Sequence, residues 1–188
     1  GRAVQALKDN DAGAVGVRVE NTDGSQQICV RKFPSLYSEI ITLLKLNSII
    51  PALNRSYLQL DFDYDKTQPV DSVIGAFMLM SRELYLTGGG FDESYFIWFE
   101  EVDLCRRLTT AGRPVWYCAS AKIVHHGGQS FSQLATGQRQ ELFNKALLNY
   151  AARHQPGWQY FILRRLILPV NRLLTGIQQR LKMKRHGY

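Results

Sequence analysis

Apolar and polar positions change their period several times along the chain, and each change predicts an element. Val4 and Leu7 in an otherwise charged stretch predict the end of a helix over 2–9. Residues 14–19 (AVGVRV) predict a short buried strand. Thr22-Asp23-Gly24-Ser25 marks a turn, and 26–32 alternates like a second strand. Phe33-Pro34-Ser35 opens a helix with Ser35 as N-cap, Glu39 close to the capping position, and Leu36, Ile40, Leu43 and Leu44 on one face. Residues 47–68 have weak periodicity. Residues 70–80 form the most apolar run and predict a strand, with Gly75-Ala76 in its middle where backbone must approach something closely.

A short helix follows from Ser81 and ends at Gly88-Gly89-Gly90. The aromatic residues Tyr95, Phe96, Trp98 and Phe99 lead into a helix starting near Glu100, which Gly112 ends as a C′ residue. Residues 114–118 and 122–126 predict two short strands. Residues 133–153 predict a long helix, and 158–184 another, interrupted at Pro169. Strands interleaved with helices predict an α/β fold. A helix at the very start with no strand before it to pack on predicts further sequence upstream. The pattern divides the chain into a domain over 1–154 and a basic helical tail over 155–188.

Charge sharpens that division. The net charge is +7, but 8 of the 23 Lys and Arg residues lie at or after Arg153, and no Asp or Glu follows Glu141. The body is therefore close to neutral, and the excess positive charge belongs to the tail. A hydrophobic fraction of 45% and a charged fraction of 21% are ordinary for a globular protein and exclude disorder of the whole chain. Three cysteines make no disulfide framework and show no metal-ligand spacing. Cys105 and Cys118 sit among apolar residues and predict buried, inert thiols. The most apolar tail segment, 158–170, is broken by Arg164 and Arg165, so no run reaches membrane-spanning length.

Two acidic groups invite a chemical reading. Asp61, Asp63 and Asp65 alternate with Phe62 and Tyr64. They lack the glycine turn and distal glutamate of a calcium loop, so a solvated loop or edge strand with its aromatic rings inward fits better. Glu100, Glu101 and Asp103 are different. They sit at a helix start, where the helix dipole alone would favour acids. They also follow an aromatic run that should bury that start and a glycine-rich loop that could admit a ligand, and His125 and His126 follow on a strand end next to Gly127-Gly128. A carboxylate buried in such a cleft can act as a general base, because loss of solvent raises its pKa toward neutrality. From the residues alone, helix-capping acids and a catalytic cluster are about equally supported.

The order of these motifs resembles the C-terminal half of family 2 glycosyltransferases, in particular the rhamnosyltransferase-like branch of bacterial polysaccharide synthesis. The resemblance rests on Gly75-Ala76-Phe77-Met78-Leu79, on Gly89-Gly90-Phe91-Asp92-Glu93, on Phe99-Glu100-Glu101-Val102-Asp103-Leu104-Cys105, and on His125 with Gly127-Gly128 and Ser130. The stretch over 13–34 adds a short AVG strand, a DG turn and a later FPS. It implies an α/β fold that is a partial GT-A (nucleotide-diphospho-sugar transferase-like) domain lacking its N-terminal nucleotide-binding strands, with C-terminal helices.

The implied activity is inverting transfer of a sugar, with rhamnose suggested by resemblance alone, from a nucleoside-diphosphate donor to a saccharide or lipid-linked acceptor. Glu101 would be the base that activates the acceptor hydroxyl, with Glu100 as fallback and Asp103 supporting the helix start or the acceptor pocket. The family usually carries Glu-Asp where this chain has Glu100-Glu101. Gly75, Ala76, Gly89, Gly90, Phe91, Asp92, Glu93 and Trp98 would shape the substrate pocket. His125 would contact a divalent metal, Mg or Mn, or the diphosphate. The family's paired-aspartate metal and nucleotide motif would lie upstream of Gly1, so the metal is expected only with that half, and these 188 residues alone are not expected to turn over a nucleotide-sugar.

Residues 158–188 predict either an anionic membrane surface as partner, with Trp158 and Tyr160 at the interface, or a basic helix packed on the domain or on another subunit. The expected location is the cytoplasm, and with the membrane as partner the inner face of the plasma membrane. A nucleic-acid partner is not expected, because the basic residues belong to no recognisable binding module. The alternative function is a noncatalytic carbohydrate-binding or membrane-associated assembly subunit that kept the fold.

Overall fold

The computed structural model describes residues 1–127 and 136–186. In chain order the elements are α1 (Arg2–Asp9), β1 (Ala14–Glu20), β2 (Val30–Arg31), α2 (Leu36–Leu43), two 3₁₀ turns (Leu46–Ser48 and Pro51–Asn54), β3 (Gln68–Val70), β4 (Ser72–Val73), α3 (Arg82–Thr87), α4 (Glu100–Thr110), β5 (Val115–Val124), α5 (Thr136–His154), α6 (Gly157–Ile162), a π-helical segment (Leu163–Ile167) and α7 (Leu168–His186). Packing groups them into two compact units. The first holds Gly1–Phe33, Arg55–Glu93 and Glu100–Gly127; the second holds Pro34–Asn54, Ser94–Phe99 and the described residues after 127.

The first unit is an α/β sandwich on a small mixed sheet. β5 is central, with β1 parallel on one side and β3 antiparallel on the other. β2 and β4 form a separate antiparallel pair. β1 is buried on both faces, which a strand of AVGVRV composition requires. One face packs Val15 and Val17 with Ala6 of α1 and Cys118. The other packs Ala14, Val19, Val115 and Tyr117 with Leu104, Cys105 and Leu108 of α4. The free edge of β1 is closed by Leu79, whose backbone exchanges two hydrogen bonds with Val15. Gly16 is required here, because a Cβ would stand 2.5 Å from a methyl of Val73.

The second unit is helical. Ser35 caps α2 as expected, but Ser38, not Glu39, completes the capping box; Glu39 turns inward and is buried. Leu43, Leu147, Tyr150, Leu163 and Leu168 are among its most buried side chains. Asn171 of α7 is fully buried; its amide donates to the Leu43 carbonyl at 2.7 Å and accepts from Asn144 of α5 at 3.0 Å.

Four sequence expectations are corrected. The run 70–80 is not one strand: the chain leaves the sheet after Val73, and Gly75-Ala76 forms a turn. The strand over 26–32 shrinks to Val30–Arg31 plus a bridge from Gln26 to Glu20. The two strands over 114–118 and 122–126 are one, because β5 absorbs a register shift opposite Val17 and Arg18 and continues pairing. The break in the last helix comes before Pro169, as the π segment Leu163–Ile167. Proline lacks an N–H and crowds the carbonyl four residues earlier, that of Arg165, and the wider π turn relieves both.

The thiols are buried and free, as expected for Cys105 and Cys118 and also for Cys29. Burial pushes the Cys105 thiol up to about 12, so it is inert. The loop carrying Asp61, Asp63 and Asp65 is exposed at those acids, while Phe62 and Tyr64 pack edge-on against Tyr117.

Candidate active site

Two strained residues precede α4. Trp98 and Phe99 have φ of 63° and 69°, the left-handed region that bulky residues avoid at about 1–3 kcal/mol each. Such backbone persists only where the surrounding structure holds it. Glu100 and Glu101 follow directly in sequence.

Both glutamates are half-buried as residues, yet each places its Oε2 out of contact with solvent and without a hydrogen-bond partner. An orphaned carboxylate oxygen is costly, and two in adjacent residues need a reason. Burial pushes the Glu101 carboxyl up to about 7, and the neighbouring Glu100 charge adds to the rise. Backbone N–H groups at the helix start and the guanidinium of Arg31 pull the other way. Arg31, at the end of β2, has its own Nε buried and without a partner. The site therefore combines an unsatisfied acid pair with an unsatisfied cationic donor. Gly75 completes this corner: a Cβ there would lie 3.9 Å from the Cβ of Glu101, and the turn at Gly75-Ala76 leaves Gly75 exposed.

Asp103 stands apart from the pair. It is fully buried, and it accepts from Arg107 Nε at 2.8 Å one helical turn on. The guanidinium then donates to the carbonyls of Gly88 and Gly90, so Asp103 holds the glycine loop through Arg107. That loop needs its glycines: Gly89 and Gly90 have φ of 78° and 60°, and a Cβ on Gly90 would strike the Tyr85 ring at 2.9 Å. Tyr85 also stacks edge-on with Phe91, which is exposed. Asp92 is half-buried and Glu93 exposed on the same loop.

Trp98 belongs to the second unit. Its ring packs on Phe143 and lines a cavity of 360 Å³ with Thr42, Lys45, Arg139 and Gln140.

His125 ends β5. Its backbone N–H donates to Glu20, and its Nδ1 lies 3.1 Å from the side-chain oxygen of Gln27. The Gln27 amide nitrogen is engaged with the His125 carbonyl at 2.7 Å and with Asn21, so its oxygen faces the ring. An N–H at Nδ1 fits that oxygen as its acceptor. One imidazole nitrogen does not make a metal centre, and among the described residues no group of three His, Cys, Asp or Glu side chains could hold an ion. His126 is exposed; Gly128 and Ser130 of the same motif lie outside the described residues.

Sequence reasoning missed Arg31, Gln27 and Arg107. Only Arg107 left a signal, its i,i+4 spacing from Asp103.

No protein-family model matches the chain. Over 153 residues the chain is 29% identical to N-acetylglucosaminyl-diphospho-decaprenol L-rhamnosyltransferase of Mycobacterium tuberculosis, covering 79% of this chain and 48% of that protein. Over 105 residues it is 33% identical to rhamnosyltransferase WbbL of Escherichia coli K12, covering 54% of this chain and 37% of that protein. The chain is thus a distant homologue of bacterial rhamnosyltransferases and spans about half or less of the length of the curated relatives it matches.

Proposed function

We propose that this chain is the acceptor-side part of an inverting glycosyltransferase of GT-A type, and that Glu101 is its general base. The observation that supports this most is the Glu101 carboxylate: an oxygen buried without a partner, beside the Gly75 turn, on a group with a pKa of about 7. A base held near neutrality can take a proton from a sugar hydroxyl as that oxygen attacks the anomeric carbon, while the nucleoside diphosphate leaves from the opposite face. Glu100 would keep Glu101 basic through its charge, and Arg31 would steady the acid pair once Glu101 ionises.

Gly75 and Ala76, with Gly89, Gly90, Phe91, Asp92 and Glu93, would shape the sugar and acceptor sites. The loop would be held by Arg107 on Asp103. Trp98 would bind sugar in the second unit, where its cavity already holds polar groups. The homology supports a nucleotide-sugar donor, with rhamnose as the first sugar to try and a saccharide or lipid-linked acceptor. A divalent cation, Mg or Mn, would neutralise the leaving diphosphate. Its ligands would have to come mainly from outside this chain, with Nε2 of His125 as a contact.

The test is Glu101→Gln in the full-length protein. Loss of transfer with donor binding retained is expected; unchanged transfer would remove Glu101 from the role. A noncatalytic assembly subunit would show no transfer in the unsubstituted protein either.

A further inference from the structure

The C-terminal helices carry a surface that contains none of the residues proposed for sugar transfer. Trp158, Phe161, Leu166, Val170, Leu173 and Ile177 are between 45 and 65% exposed. Their spacing is three, five, four, three and four residues. The single step of five, from Phe161 to Leu166, crosses the π segment Leu163–Ile167, whose hydrogen bonds run from i to i+5. The wider turn absorbs the extra residue, so the apolar side chains stay on one face through the irregularity. Leu163, Leu168, Asn171 and Thr175 occupy the opposite, buried face.

Beside this stripe lies a cavity of 480 Å³ lined by Lys145 of α5 and by Tyr160, Arg164, Arg165 and Arg172. Arg164 leans on the Tyr160 ring and donates to its hydroxyl at 2.6 Å. Arg172 is paired with Glu141. Lys145 and Arg165 have no ion pair among the described residues and are exposed. From residue 142 onward the sequence contains no acid at all.

An apolar stripe flanked by a cavity whose charged lining residues are all cationic matches a bilayer interface: acyl chains accept the apolar side chains, and the phosphate groups above them meet the cations. No described helix is long and apolar enough to cross a membrane, so the fit is to a helix lying in the surface plane. We propose that α6, the π segment and α7 dock on an anionic lipid bilayer, with a lipid phosphate seated between Lys145, Arg164, Arg165 and Arg172. The proposal does not depend on Glu101 or on any catalytic role for the chain.

The test is co-sedimentation of the 188-residue chain with vesicles of phosphatidylcholine, with and without phosphatidylglycerol. Binding is expected only with phosphatidylglycerol, and it should weaken with salt. Lys145→Ala and Arg165→Ala should each reduce affinity about fivefold, the effect of one cation at an anionic surface. Leu166→Asp with Leu173→Asp should abolish it. Equal binding to neutral vesicles, or indifference to both cation substitutions, would overturn the proposal. So would displacement by inorganic phosphate beyond that by chloride at equal ionic strength, which would make the cavity a free-anion site. Dimers that dissociate on Leu173→Asp, in a chain that ignores vesicles, would assign the stripe to a second copy instead. The cation variants lie on the exposed surface and keep the test valid should the aspartates impair folding.

Discussion

Asp103 and Arg107 form an ion pair one helical turn apart, 2.8 Å between Nε and carboxylate, in which the acid is fully buried and the cation is not. The pair turns the rigidity of α4 outward: the guanidinium, held by its Nε, has its two remaining nitrogens on the Gly88 and Gly90 carbonyls. Arg107→Ala would leave a buried carboxylate short of its counterion and should destabilise the protein by about 3 kcal/mol in urea unfolding. Arg107→Lys should recover part of that, because an ammonium can meet the acid but cannot hold both carbonyls in a planar fork. It should also leave the 88–90 loop more open to limited proteolysis than in the wild type. Equal protease resistance in wild type and Arg107→Lys would show that the loop does not rely on the clamp.

The raised pKa of Glu101 makes a second prediction. A base must be ionised to work, so in the proposed role kcat/KM of the full-length protein should fall about tenfold per pH unit below a limb near 7. Glu101→Gln should cost about a hundredfold or more in rate. It should leave stability at neutral pH unchanged or raised, since it replaces a desolvated charge with a neutral amide. A limb that stays near 7 in the residual activity of the variant would assign the titration to another group.

Much of this was legible in the sequence where one local cause decides the structure. Ser35, Gly24 and Gly112 mark their turns and caps because side-chain oxygen or positive φ is a local demand. The α4 boundary at Glu100 was legible from its run of acids, which the helix dipole favours at a helix start. Long-range pairing was not. Residues 70–80 are apolar because Val73, Phe77 and Leu79 pack on different parts of the first unit, not because they share a strand. At the site, the carboxylates were visible as a cluster, but the split between Glu101 and Asp103 was not. It depends on Arg107 turning back to Asp103 and on Arg31 arriving from β2, and periodicity records neither. Likewise Pro169 announced a break, while the turn that absorbs it lies upstream.

In the second unit, Asn171 links three segments through one side chain, to Leu43 at the end of α2 and to Asn144 on α5. Asn171→Ala would strand a buried carbonyl and a buried amide, at a cost of about 2 kcal/mol or more. Thermal unfolding should show it as a lowered Tm. A Tm equal to that of the wild type would mean that water replaces the side chain without penalty.

Glu39 offers the cleanest pH dependence. It is 3% exposed; one carboxyl oxygen accepts from Gln155 at 2.8 Å and the other has no partner. Burial raises its pKa from 4.5 to about 7, against the smaller opposing effect of the Gln155 amide. The folded state thus holds a proton that the unfolded chain releases. The associated stability is complete below pH 4.5, declines as pH rises, and is gone above about 7. Glu39→Gln removes the titration while keeping an acceptor for Gln155. It should therefore stabilise the protein by up to about 3 kcal/mol at pH 8 and by less than about 1 kcal/mol near pH 5. Urea unfolding of both proteins at the two pH values measures the difference. A gain of the same size at both would mean that Glu39 titrates alike in the folded and unfolded chains, with the Gln155 amide fully offsetting burial.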